Sequence, residues 1–227
     1  MPEPIRRDTV VDALVDRVRD DVLAGRYPPG TLLPPERTLA AGYEVTRTSL
    51  KHALVRLGAA GLVETKHGVG TRVRDYTKLG GLELLPALLR ADPGGWAREV
   101  FEVRRQVGAL LAATAARNAT AEQRERLVAS VAAVRDAADA DAAQLAESRF
   151  HRELAGATGN RVYRFLTNAL LSAYLPMRTA LRAPFADPVA AADRLEPVLA
   201  AVLDGDPHAA RAAADAYLAE TERLMLG

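Results

Sequence analysis

Arg47, Thr48, Ser49 and Lys51 combine long cations with small hydroxyl donors at the start of one short helical stretch. With Thr46 able to cap that helix through its hydroxyl, they form a set that can reach phosphates and base edges in a major groove. A second group, Lys66-His67-Gly68-Val69-Gly70, stands a cation and an imidazole among glycines that let the backbone approach a phosphate or enter a narrow groove. A third, Glu147 and His151, is spaced i, i+4 on one helical face, the spacing of an ordinary side-chain pair. Arg104 is a candidate for holding an anionic head group, with pairing to Glu102 or another surface carboxylate as the alternative.

The elements that must position these residues follow from apolar spacing. Pro34 to Leu57 reads as two short helices meeting at a turn around Gly42 to Val45, with Pro35 at the first helical position. Leu50, Ala53, Leu54 and Leu57 form the inward stripe of the second helix. An amphipathic helix over Thr9 to Ala24 precedes them, ends at Gly25, and leads through the stiff Tyr27-Pro28-Pro29-Gly30 connection. Leu62 to Thr65 and Thr71 to Arg74 alternate as two short strands, a β-hairpin wing with Lys66 and His67 at its tip.

From Leu79 onward no strand pattern recurs, and Ala, Leu, Arg and Glu dominate. The spacing predicts a helix from Leu79 to Leu89, an interruption at Asp92-Pro93-Gly94-Gly95, and a long helix from Trp96 to Asn118. Further helices are expected from Thr120 to about Ala138, from Asp139 to Ala157 and from Val162 to Leu181, the last kinked at Pro176. Pro188 to Leu203 and Pro207 to Met225 close the chain. The expected fold is mainly α: a winged helix-turn-helix over residues 1–76 and an all-helical bundle over residues 77–227.

Composition narrows the function classes. The 227 residues are 49% apolar and carry a formal net charge of +1, but seven cations face three carboxylates between Pro34 and Arg74. A local excess of +4 on a nearly neutral chain is the footprint of a DNA-reading module joined to a different domain. The absence of cysteine excludes a disulfide framework and thiolate metal sites. No apolar h-region opens the N-terminus and no apolar run approaches a membrane span, so a cytoplasmic protein is expected.

The stretches Arg26-Tyr27-Pro28-Pro29-Gly30-Thr31-Leu32-Leu33-Pro34-Pro35-Glu36-Arg37, Val45-Thr46-Arg47-Thr48-Ser49-Leu50 and His67-Gly68-Val69-Gly70 resemble the GntR family of bacterial transcription regulators. The helical half resembles that family's FCD effector domain. Gly80-Gly81-Leu82-Glu83-Leu84-Leu85, Ala157-Thr158-Gly159-Asn160 and Pro184-Phe185-Ala186-Asp187-Pro188 look like its fatty-acid-responsive FadR branch.

That resemblance implies operator contacts from Arg37, Thr46, Arg47, Thr48, Ser49 and Lys51, and from His67 and Gly68 on the wing. Many FCD domains hold a metal with an Asp and three His, and Glu147, His151, Leu195 and Tyr217 stand at the corresponding positions here. Leucine cannot ligate, so no metal or other cofactor is expected. The resemblance instead implies an effector pocket with His151, Tyr174, Leu195 and Tyr217 converging from four helices, and with Leu218, Thr221 and Met225 near the C-terminus. Arg104 would receive the anionic head. The implied effector is an acyl-coenzyme A or related acyl ligand, with a small organic acid or a metal as the alternative.

The function expected is a homodimeric, effector-responsive regulator on a short inverted-repeat operator. An architectural DNA-binding dimer without an effector is the competing reading. A hydrolytic site at Glu147, His151 and Glu153 would be a third, but no nucleophile elbow, phosphate loop or HExxH spacing accompanies it, and no enzyme is expected.

Overall fold

The computed structural model describes residues 8–227, and contacts divide the chain into two compact units, Met1–Pro93 and Gly94–Gly227. The leaderless start expected for residues 1–7, which also opens the expected 1–76 domain, lies outside the described residues.

In the first unit, α1 (Asp8–Leu23) turns Leu14, Val18 and Val22 inward, the i, i+4, i+8 row of one helical face. They meet α3 (Arg47–Ala59), which buries the expected stripe of Leu50, Ala53, Leu54 and Leu57. Arg56 Nη1 donates to Asp12 Oδ1 at 2.5 Å across the same contact. Between them lies α2 (Glu36–Gly42), one residue later than the sequence spacing suggests, because Pro35 sits in an extended conformation as the residue before the helix. The turn is made by Glu44, not by Gly42. Glu44 adopts a left-handed φ of 56°, with Glu44 N–H donating to Ala41 O and Val45 N–H to Ala40 O. This is a Schellman closure in which a side chain occupies the position that glycine usually fills.

The wing is β1 (Val63–Lys66) paired antiparallel with β2 (Gly70–Val73), in the register Val63↔Val73 and Lys66↔Gly70. It is shifted by one residue from the expected strands, so Lys66 belongs to β1 and the tip is His67-Gly68-Val69. Residues 30–33 add to its other edge: Leu33 N–H donates to Thr71 O, Gly30 N–H to Val73 O, and Leu32 bridges Arg72. Gly61, at the end of α3, has a φ of +75°, and a Cβ there would stand 2.5 Å from Leu79 O. Only glycine fits on both counts.

The helix expected over Leu79 to Leu89 is broken into α4 (Tyr76–Leu79), a 3-10 turn (Leu82–Leu84) and α5 (Leu85–Ala91), with Gly80 and Gly81 extended between them. α5 packs on α1. The contact boundary therefore falls at Pro93/Gly94, later than the boundary expected after residue 76.

The second unit is all helical. α6 (Pro93–Asn118) starts earlier than expected: Pro93 opens its first turn, where a missing N–H forfeits no intrahelical bond, and Gly94 and Gly95 follow it into the helix. α7 (Ala121–Arg135) opens with a capping box between Thr120 and Gln123. α8 (Ala140–Ala157), capped by Asp139, packs between α7 and α9 (Arg161–Tyr174). α9 ends before Pro176 instead of continuing to Leu181, since the proline forces a 3-10 turn over Leu175–Met177. α10 (Pro188–Leu203) lies against α7 and α11 (Pro207–Leu226). No helix among the described residues is long and apolar enough to cross a membrane.

Candidate functional site

The first site is the outer face of α3. Thr46 caps the helix, its Oγ1 accepting from Ser49 N–H at 3.1 Å and lying 2.9 Å from Ser49 Oγ. Those two hydroxyls thus hold the helix start, with Ser49 half-buried, and they leave Arg47, Thr48 and Lys51 exposed on the first turns. The Arg47 and Lys51 side chains are 63% and 61% exposed and share one carboxylate, Glu36, at 3.7 and 3.9 Å. Contacts so long and so exposed are weak, so both cations remain available to a phosphate or a base edge. Arg37 is exposed on α2, and His67 and Gly68 are exposed at the wing tip, where Gly68 has a φ of +76°. Lys66 is held to its neighbour Glu64 at 3.5 Å.

The second site is a buried ionic cluster. Glu147 on α8 is fully buried, and its Oε1 accepts from Arg104 Nη2 of α6 at 2.9 Å and from Tyr217 Oη of α11 at 3.1 Å, with His151 Nε2 at 2.7 Å. Burial by itself would raise the Glu147 carboxyl. The charge of His151 and its hydrogen bond, reinforced by Arg104 and Tyr217, outweigh burial and hold it down at about 2. Burial and the Glu147 charge push the Tyr217 phenol well above its ordinary value. Arg104 is therefore neither a surface cation nor a partner of Glu102, which instead accepts from Gln106.

Arg104 and His151 also line a cavity with Thr167 and Tyr174, closed by Val107, Gly108, Leu111, Leu170, Leu171 and Leu218. Its volume is about 30 Å³, enough for a small group but not for a long acyl chain with these walls in place. Of the four residues expected to converge, His151 and Tyr174 line it. Tyr217 joins the cluster instead, its ring 6.4 Å from that of His151. Leu195 is fully buried in α10 and is not part of the wall. Thr221 is not part of it either: its hydroxyl donates to the Tyr217 carbonyl within α11. Thr167 is the functional candidate that sequence reasoning missed, because a lone threonine on an apolar helix face gives no signal before the helix is docked.

The donor set does not suit a metal. Leu195 offers no donor, the Tyr217 hydroxyl is spent on Glu147, and the Arg104 guanidinium already lies against the only carboxylate. Among the described residues no group of three or more His, Cys, Asp or Glu is placed to hold an ion.

Comparison with known proteins gives two family matches. Residues 10–73 match the family described as bacterial regulatory proteins, gntR family, and residues 99–220 match the FCD domain. The chain is 36% identical to an uncharacterized HTH-type transcriptional regulator of Mycobacterium tuberculosis, over 95% of this chain and 89% of that one. It is 33% identical to the fatty acid metabolism regulator protein of Serratia proteamaculans, over 68% of this chain and 65% of that one. Among solved structures, a GntR protein of Streptococcus agalactiae aligns with a TM-score of 0.53 at 23% identity, covering 94% of this chain and 99% of the other, a likeness of fold.

Proposed function

The chain belongs to the GntR family of transcriptional regulators and carries an FCD domain as its helical unit, and from that premise we propose that it binds a short inverted-repeat operator as a homodimer and releases or tightens on it when an acyl compound enters the helical unit. The observation that carries the DNA half is the exposed pair Arg47 and Lys51 at the capped start of α3. A single head of this kind reads few base pairs, so a dimer on two half-sites supplies the specificity. Arg37, Thr48, His67 and Gly68 extend the same contact surface, with Thr46 and Ser49 fixing its start. A DNA-binding protein of this kind works in the cytoplasm.

The effector half rests on the cavity beside Arg104, His151 and Tyr174, whose remaining wall is mostly aliphatic. That chemistry, together with relatives named for fatty acid metabolism, favours an acyl ligand with a polar head. Selection of binding sequences from random duplexes, combined with light scattering of the free protein, tests the first half. The expected result is an enriched inverted repeat and twice the mass of one chain. A monomer that enriches only a single half-site would overturn it.

A further inference from the structure

The cavity beside Arg104 holds unspent hydrogen-bond donors. Arg104 Nη1 is buried and has no hydrogen-bond partner among the described residues, although Nη2 of the same guanidinium is bonded to Glu147. Thr167 Oγ1 is likewise buried and unpartnered. Tyr174 is the third. Gln144 Nε2 lies 2.7 Å from Tyr174 Oη and 2.9 and 3.2 Å from the carbonyls of Arg178 and Leu181, which fix this end of the amide as nitrogen, a group that cannot accept the tyrosine proton. The tyrosine oxygen therefore accepts, and its own proton is left for another acceptor.

A buried donor without a partner costs about 1–3 kcal/mol, so three on one cavity wall ask for an acceptor-rich group there. A guanidinium fork with hydroxyls beside it matches the two oxygens of a carboxylate. Water alone would satisfy hydroxyls, but Val107, Leu111, Leu170, Leu171 and Leu218 make most of the surrounding surface apolar. A head with two acceptor oxygens and a hydrocarbon behind it satisfies both kinds of wall. Glu147, the carboxylate that could repel such a head, is paired to Arg104 through Oε1, and although its Oε2 is buried without a hydrogen bond it does not line the cavity.

We infer that the helical unit holds a metal-independent site for a free aliphatic carboxylate, its head on Arg104 Nη1, Thr167 Oγ1 and Tyr174 Oη and its chain among the leucines. The guanidinium supplies the positive charge, and no ion is needed between protein and ligand. This deepens the acyl reading above and rests on it, since it specifies a free acid in place of a thioester. The volume of about 30 Å³ has room for little more than the head, and the chain behind it requires Leu218 or Leu111 to change rotamer. Gly108 bears on that movement, because a Cβ there would stand 2.3 Å from Leu218 Cδ1.

Calorimetric titration of the full-length protein in the presence of a chelator, using sodium octanoate, octanoyl-coenzyme A and octanol, tests this directly. Octanoate is expected to bind one per chain, while the thioester and alcohol bind at least tenfold more weakly. Thr167→Val should weaken octanoate about tenfold without lowering the melting temperature, since it removes a hydroxyl that bonds nothing in the protein. Arg104→Lys, which keeps a charge for Glu147 but loses the second nitrogen, should do the same to affinity. Octanoate binding unaffected by both substitutions, or abolished by the chelator, would overturn the inference. Binding of the thioester alone would overturn the free-acid head while leaving the acyl reading intact. Failure of all three compounds, at this and longer chain lengths, would remove the acyl reading as well.

Discussion

Arg47 and Lys51 lie on one helix and share one carboxylate, yet their chemistry separates them. A guanidinium can make two parallel bonds to the O6 and N7 of a guanine, whereas an ammonium acts as a point charge against phosphate. Arg47→Ala is expected to cost about 1–3 kcal/mol on the selected operator and little on scrambled DNA. Lys51→Ala should weaken both alike and reduce the salt slope by about one. Fluorescence anisotropy on both duplexes at several salt concentrations separates the two, and an intact operator preference in Arg47→Ala would displace it from base reading. In the helical unit the decisive residue is Glu147. Its folded carboxyl sits at about 2, below the ordinary value of 4.5, so on acidification the unfolded chain takes up the proton first. The stability it contributes is complete above about pH 4.5 and fades as the pH falls toward 2. Glu147→Gln, which strips Arg104 of its partner, should destabilise by about 3–5 kcal/mol at pH 7. In denaturant titrations that gap should close across the same acid window; a gap independent of pH would mean that packing, not the ionic cluster, sets its size.

At the scale of the element, Glu44 shows where local strain sits. A non-glycine residue at a φ of 56° pays for a left-handed conformation that glycine adopts freely, while glycine loses more entropy on folding. Glu44→Gly is expected to stabilise the first unit by roughly 0.5–1 kcal/mol, read as a raised melting temperature with unchanged DNA affinity. Gly61→Ala should do the reverse, because both its φ and the Leu79 carbonyl oppose a side chain. The helix-turn-helix is legible in the sequence because Thr46 and the Leu50, Ala53, Leu54, Leu57 stripe are local signals, as are Thr120, Asp139 and Asp187 at later helix starts. Gly94 and Gly95 point to a break because each glycine weakens a helix by about 1 kcal/mol relative to alanine, a cost that the long helix behind them outweighs. The strand-like pairing of residues 30–33, just after the Tyr27-Pro28-Pro29-Gly30 connection, has no local signal, since its partner Thr71 lies some forty residues away. Arg104 lines the cavity from α6, but its bond to Glu147, the exclusion of Leu195 from the wall and the place of Thr167 in it depend on how helices dock, which periodicity does not encode.

At the scale of the whole molecule, the question is where the DNA-reading unit ends. The change of composition after the wing suggests residue 76, whereas α5 packs on α1, the helix that also carries α3. A fragment ending at residue 76 exposes the α1 surface that α5 covers and leaves out Leu84, Leu88 and Leu89, all buried in the intact chain. Losing the burial that even two of these leucines contribute forfeits about 3–6 kcal/mol at 1.5–3 kcal/mol for each side chain, a large share of the 5–15 kcal/mol that stabilises a typical domain. Residues 1–93 expressed alone should therefore melt cooperatively, while residues 1–76 should melt at least 10 °C lower or aggregate. Circular dichroism on both fragments decides this. Equal melting temperatures would mean that α5 is carried by the first unit without supporting it. The longer fragment should also bind operator DNA more weakly than the full chain, with the salt dependence of one head instead of two, because the proposed dimer would be held together by the helical unit that it lacks. An isolated fragment matching the full chain in affinity would place dimerisation in the DNA-reading unit itself.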